Sequence, residues 1–332
     1  MTHKRQYQSK AVKPRFQRFA IAYPMAVRQF REPTVSHVPV CVDDGLLRGS
    51  IHGFSRHSRL RLREFLASKT LDGELFGIFG ICFTVPWRSL SCGSAHSEYK
   101  AIAFGKQDVM IAGGAEEFSV TQVSVFDTLF ATSRRNDEPQ ATPRAFDKNR
   151  DGLVIGDGAG TLILEERDRA IARGAKIYAE VVGFGINTDG RHVTQPNAET
   201  MAIALKLALE DADLPPSAIG YVNAHGTATD LGDIAEGTAT QAVFGPGKVP
   251  ISTIKGYTGH TLGACGAIEA VMTIGMMNAD WYAPNLNLTE PDPRCGEHDF
   301  ITGVGRAFSS DYVMSNNFAF GGVNTSLIFR RV

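Results

Sequence analysis

An α/β fold is predicted for this chain by three observations. From about residue 91 onward, short apolar runs of β type alternate with helical segments, and glycine turns separate them. The composition is that of a globular α/β protein, with 43% hydrophobic residues, 21% charged residues and 34 glycines in 332 residues. Histidines also stand in Gly/Thr turns where apolar strands give way to helices, the place where open α/β sheets collect their ligands.

The elements follow in order. "DVMIAGGAEE" (108–117) reads as a buried strand entering a double-glycine turn. "GTLILEE" (160–166) is a second strand, and "RDRAIARGA" after it is a short helix closed by Gly174. "IYAEVVGFGINTDG" (177–190) is a long strand ending in a turn. "NAETMAIALKLALEDADLPPSAIG" (197–220) carries apolar residues at helical spacing, with Asn197 as N-cap and a Pro pair beyond its end. The strand "YVNAHG", the helix "GDIAEGTATQAVFG" (232–245) and the strand "VPISTIKG" (249–256) come next. A helix of small residues, "GACGAIEAVMTIGMMNAD" (263–280), and a closing strand, "GGVNTSLIFRRV" (321–332), complete the chain.

Residues 1–90 have a different texture. They hold 15 Lys or Arg against 6 Asp or Glu, leaving 19 against 29 for the remainder, and residues 1–31 contain eight basic residues and no acid. Arg and His are interleaved there without a period of 3.6 or 2. An organelle transit peptide, an arm for a nucleic acid or an acidic partner, and sequence never selected for this fold, such as an out-of-frame or mis-joined start, are the three readings of this region, the last favoured because the lack of pattern continues past transit-peptide length. Three segments are thus expected: an atypical basic region (1–90), the remainder of an N-terminal half (91–176) and a C-terminal half (177–332).

The five cysteines (41, 82, 92, 265 and 295) are odd in number and lack disulfide or zinc spacing, which predicts free thiols in a reducing, cytoplasmic setting. No apolar run is long enough to span a membrane, and neither a membrane nor a nucleic acid is an expected partner.

Cys92, in "SLSCGSAHSE", is either a nucleophile presented at a helix start or a small buried hydrophobe. His225 in "NAHGTATD" and His260 in "TIKGYTGHTLGACG" share one strand-to-helix geometry, which points to a common site. Neither histidine has a second ligand at zincin-like spacing, so no metal is expected. "GDGAG" (156–160) resembles a phosphate loop but leads into a strand instead of opening a helix.

"SCGSAH", "NAHGTATD", "KGYTGH" and "NNFAFGGVN", together with "GKQDVMIAGGAEE", "FDKNRDGLVIGDGAG" and "ARGAKIYAEVVGFG", resemble the β-ketoacyl-acyl-carrier-protein synthases, the condensing enzymes of the thiolase superfamily. The resemblance runs in order over about residues 88–332. It implies a thiolase-like fold, layered α-β-α-β-α from two similar halves, with the N-terminal half incomplete. Cys92 is followed by Gly93, Ser94, Ala95 and His96, one residue shorter than the type I pattern of the family.

The resemblance also implies roles. Cys92 would carry the acyl chain as a thioester at a helix N-terminus, and His225 and His260 would donate hydrogen bonds to the enolate left by decarboxylation of malonyl thioester. The N–H of Phe320 would complete an oxyanion hole, with Phe320 also a gate and Gly321 and Gly322 giving its turn the freedom it needs. Lys255, paired with Glu269, would organise the site's charge. Thr227 and Thr229 would hold the phosphopantetheine arm, while Asp233 and Glu236 would be structural acids on the following helix. The Cys-His-His set implies elongation with decarboxylation. No cofactor is expected, since the phosphopantetheine arm arrives on its carrier; the partners implied are acyl carrier protein and a second copy in a homodimer. Two readings stay open: an active elongating synthase, or a non-catalytic protein on the same scaffold, either a damaged product or a partner subunit like the chain-length factors.

Overall fold

Phe19–Met25, in the basic region where the sequence reading places no element, forms a strand, β1, inside the sheet. The computed structural model describes residues 19–25, 99–190 and 194–332, with β1 described through its backbone. All of these belong to one unit, built from residues 1–29 and 89–332; residues 30–88 lie outside the described residues. Pro24 hides β1 from a sequence reading, because proline inside an apolar run argues against a strand. The β1 register on its neighbour shifts between Ile21 and Tyr23, just before that proline.

The strands β2 (Val109–Glu116), β3 (Gly158–Glu166), β4 (Ala179–Thr188), β5 (Tyr221–Asn223), β6 (Pro250–Ser252), β8 (Asp299–Phe300), β10 (Tyr312–Ala319) and β11 (Val323–Arg330) join β1 in one sheet. Its order is β2-β3-β1-β4-β11-β10-β5-β6-β8. β7 (Trp281–Tyr282) and β9 (Arg306–Ala307) form a separate ribbon.

One pairing pattern occurs twice. β1 lies antiparallel to β3, and β3 antiparallel to β2; in the second half β4 lies antiparallel to β11, and β11 antiparallel to β10. The two sets meet where β1 pairs with β4. In the second half the sheet continues through parallel pairs, β10 with β5 and β5 with β6.

The helices are α1 (Val120–Thr128), α2 (Arg167–Ala172), α3 (Ala198–Ala212), α4 (Asp230–Phe244), the single turn α5 (Lys255–Thr258) and α6 (Cys265–Asn278). Residues 99–103 are helical as well. Asn197 caps α3 by accepting from the N–H of Glu199, as its position in the sequence predicts. Apolar residues bury both faces of the sheet: on β11, Leu327 and Phe329 join one core with Ile268 and Ile274 of α6, while Ile328 joins another with Leu205 and Leu209 of α3. Such strands read as continuous apolar runs. The α3 helix fits so closely that a Cβ on Gly185 of β4 would stand 2.0 Å from the Ala204 carbonyl oxygen.

Two elements differ most from the sequence reading. β2 runs straight through Gly113 and Gly114 instead of turning there, because a Cβ on Gly113 would meet the Gly160 oxygen of β3 at 2.5 Å. It is also only partly buried, with Ala112 its one fully buried residue. The strand expected over 249–256 stops at Ser252, and Lys255 opens α5.

Candidate active site

The parallel strands β5 and β6 end on the same side of the sheet, and their carboxyl ends deliver the two histidines. His225 follows β5 in a turn whose N–H groups are gathered by one buried carboxylate. Glu236 of α4 accepts from the N–H of His225 and from that of Gly226, each at 2.7 Å. Gly226 takes φ +45, and its missing side chain leaves room for Thr253. His260 follows α5 and is held by residues 154–156: its N–H donates to the Val154 oxygen at 2.7 Å, and its own oxygen accepts from Gly156 at 3.1 Å. Gly156, the first residue of "GDGAG", therefore braces the turn that bears His260. A Cβ on Gly156 would strike the Thr258 oxygen at 2.2 Å.

The imidazoles meet edge to face, with centroids 5.1 Å apart. Their neighbours select the tautomer of each. Nδ1 of His225 faces the Lys255 ammonium, a donor, at 3.1 Å; Nδ1 of His260 accepts from the N–H of Leu262 at 3.3 Å. Both Nδ1 atoms are thus acceptors, and in the neutral ring each proton sits on Nε2. Neutrality follows from the surroundings. Burial, then the charge of Lys255, then His260 hold the pKa of His225 well below 6.5; burial and Lys255 do the same for His260.

Lys255 is 1% exposed. It forms a short ion pair with Glu269 of α6, and Glu269 in turn accepts from the Asn317 amide of β10 at 2.8 Å. Burial works against the ammonium, but Glu269 and then Cys265 outweigh it and hold the lysine pKa above its ordinary value. A buried cation thus stands behind the histidines and adds to the effect of burial in disfavouring their protonation.

The remaining residues expected at the site flank this cluster. The Thr227 and Thr229 hydroxyls lie 2.8 Å apart on the turn before α4, and a Cβ on Gly232 would collide with that of Thr229. Asp233 accepts from the N–H of Phe146 at 2.7 Å and of Ala228 at 3.1 Å; burial pushes its pKa up to about 6 against those bonds and the charge of Arg150. Phe320 stacks on Phe126 of α1 with centroids 5.3 Å apart. Gly321 and Gly322, in the β10–β11 turn, take φ +81 and +74, and a Cβ on Gly322 would overlap the Asp189 carboxylate. Cys92 lies outside the described residues.

Sequence reasoning missed four contributors. Asn317 stands inside a quoted motif, yet only the fold reveals that its amide faces Glu269. Arg150, with its side chain buried, bonds to Asp292 at 2.6 Å, to Asp230 at 3.1 Å and to the Thr229 oxygen at 3.3 Å, tying the threonine turn to the 292 loop. Phe126 carried no signal beyond being apolar. Cys265 was counted among the cysteines and given no role.

Two family models match the chain: "Beta-ketoacyl synthase, N-terminal domain" over residues 89–170 and "Beta-ketoacyl synthase, C-terminal domain" over 178–289. The 3-oxoacyl-[acyl-carrier-protein] synthase 1 of Buchnera aphidicola is 36% identical over 290 residues, which make up 83% of this chain and 70% of that enzyme. The chain belongs to the β-ketoacyl synthase family. The 3-oxoacyl-[acyl-carrier-protein] synthase 2 of Vibrio cholerae is 45% identical over 240 residues, 70% of this chain and 58% of that enzyme. The chain thus spans somewhat under three fifths of the length of that curated relative. A solved β-ketoacyl synthase from Burkholderia phymatum is 63% identical with a TM-score of 0.72, over 73% of this chain and 59% of that one. The ketosynthase AntDE:AntF, solved in complex with its acyl-carrier protein, is 33% identical with a TM-score of 0.69, over 73% of this chain and 61% of that one. The fold is thiolase-like, as the motifs imply.

Proposed function

We propose that this chain is an elongating β-ketoacyl-acyl-carrier-protein synthase, an acyltransferase of fatty acid or related chain synthesis. The observation that carries the reading is the pair of neutral histidines, His225 buried and His260 half-buried, each with its proton on Nε2. An enolate oxygen needs donors already oriented, in a place where water does not compete. A neutral imidazole meets that need without giving up its proton.

In the proposed reaction the acyl group first moves from its carrier thioester to the Cys92 sulfur, and the carrier thiol leaves. Malonyl-acyl-carrier-protein then enters. Its C–C bond to the carboxylate breaks, carbon dioxide departs, and the electron pair becomes the enolate that His225 and His260 stabilise. The enolate carbon attacks the Cys92 thioester carbonyl, whose oxyanion rests on backbone N–H groups including that of Phe320. The tetrahedral centre collapses, the cysteine thiolate leaves, and 3-oxoacyl-acyl-carrier-protein is released. Thr227 and Thr229 hold the phosphopantetheine arm. Lys255 and Glu269 act through the histidines as positioning residues, and Asp233 and Glu236 hold the turn that bears His225. None of these steps calls on a metal or an organic cofactor.

The acyl carrier protein is the proposed substrate-bearing partner. Support comes from the names of the relatives and from the AntDE:AntF complex. A homodimer in the cytoplasm is the proposed setting, with 91–176 and 177–332 as the two halves of the fold and 1–90 as a region apart that lends it β1. Among the described residues no helix is long and apolar enough to cross a membrane.

The test is to incubate the full chain with acyl-acyl-carrier-protein and malonyl-acyl-carrier-protein and follow the masses of protein and product. Acyl mass on the Cys92 peptide together with 3-oxoacyl product is expected, both lost in Cys92→Ser. An unmodified Cys92 with no product would overturn the reading in favour of a non-catalytic partner subunit.

A further inference from the structure

The cation behind the histidines stands among three groups that are metal ligands elsewhere in proteins. A ring nitrogen of His225, Cys265 Sγ and a Glu269 carboxylate oxygen all lie within 4.8 Å of one another, and all three residues are buried. They come from three places, the turn after β5, the first residue of α6 and the second turn of α6. No spacing rule applied to the sequence could have joined them.

Their donors suit a soft or borderline divalent cation: one imidazole nitrogen, one sulfur and one carboxylate oxygen, with a fourth position left for a solvent molecule. A tetrahedral ion with bonds of about 2.0–2.3 Å places its ligands roughly 3.3–3.8 Å apart, so the trio has to close by only about 1 Å. The ligands are also oriented from behind. Asn317 accepts the Cys265 thiol at 2.9 Å through its Oδ1 and donates to the second Glu269 oxygen at 2.8 Å through its amide, so one side chain braces two of the three. As the first residue of α6, Cys265 has the helix N-terminus favouring its thiolate.

At present the positive charge in this space belongs to Lys255. Its ammonium is 3.1 Å from His225 Nδ1 and is paired with Glu269. We propose that His225, Cys265 and Glu269 form a binding site for a thiophilic divalent cation such as Zn²⁺, Co²⁺ or Cd²⁺, in which the Lys255 ammonium is the competing resident. Binding would deprotonate Cys265, exchange its bond to Asn317 for a metal–sulfur bond and move the lysine head aside. The proposal stands on this geometry; because His225, Glu269 and Lys255 also serve the proposed condensation, a bound cation would occupy part of that site.

Titrating the full-length chain with Co²⁺ and recording sulfur-to-cobalt charge transfer tests it without any activity assay. A band is expected in the unaltered chain at high Co²⁺ and is expected to vanish in Cys265→Ala, a change that leaves a small residue in a helix of small residues. In Lys255→Met, checked for folding by circular dichroism, the same band should appear at a Co²⁺ concentration at least tenfold lower. Absence of the band from the unaltered chain, or its persistence in Cys265→Ala, overturns the site. Equal Co²⁺ affinity with and without Lys255 overturns the competition. Loss of condensation with the band retained would bear on the proposed function and leave the metal site standing.

Discussion

His225 and His260 stay neutral at a cost that appears in stability. In the unfolded chain each binds a proton near its ordinary pKa of 6.5; in the folded chain burial and Lys255 prevent it. The unfolded state therefore takes up more protons as the pH falls, and the folded state loses ground below about pH 6.5 by up to about 1.4 kcal/mol per pH unit for each histidine. Urea denaturation between pH 7.5 and 5.5 is expected to show this decline, and a shallower one in His225→Asn and in His260→Asn; identical pH profiles would mean that the rings take up protons alike in the folded and unfolded chain. At this scale the sequence pointed to His225 and His260, each in a Gly/Thr turn at a strand end, and the family resemblance pointed to Lys255; the structure brings the three side chains together. It could not show the tautomers, since these depend on Leu262 and Lys255 meeting the rings in space. The place of Asn317 and Cys265 beside Glu269 was hidden for the same reason.

Elements were legible wherever one strong local signal stood alone. Asn197 before an apolar period of 3.6 predicted α3 and its cap, and Asn197→Ala should cost about 1 kcal/mol of unfolding free energy, read from urea melts. Signals in conflict misled. Two adjacent glycines argue for a turn, yet in β2 both remain strand, and at Gly113 β3 comes too close for a side chain. Close approach also accounts for Gly185, where α3 lies on β4. Gly185→Ala would drive a methyl into the Ala204 carbonyl and is expected to destabilise by about 1–3 kcal/mol, whereas Gly174→Asn, at a helix end with open space and φ +69, should stay within about 0.5 kcal/mol. Equal effects at the two positions would show that backbone contact is not what selects glycine at 185.

At the scale of the whole molecule, the order of the motifs led to an expectation of two halves, and nothing in the sequence pointed to β1. β1 comes from a basic, unpatterned stretch, carries a proline, and still lies between β3 and β4, where it pairs with both. Ala20→Pro would remove an N–H from the strand that joins the halves and is expected to destabilise by about 1–3 kcal/mol; an unchanged urea midpoint would mean that β1 contributes little to the sheet. The repeated antiparallel pattern on either side of β1 brings β4, β11, β10, β5 and β6 into the order that sets both histidine turns at neighbouring strand ends. The central claim is that those turns hold two preset donors for an enolate. It is tested most directly by release of labelled carbon dioxide from carboxyl-labelled malonyl-acyl-carrier-protein. The account predicts release by the unaltered chain, its persistence in Cys92→Ala, and a fall of about 100-fold or more in His225→Ala and in His260→Ala. No release from the unaltered chain, or release indifferent to both histidine changes, would contradict it.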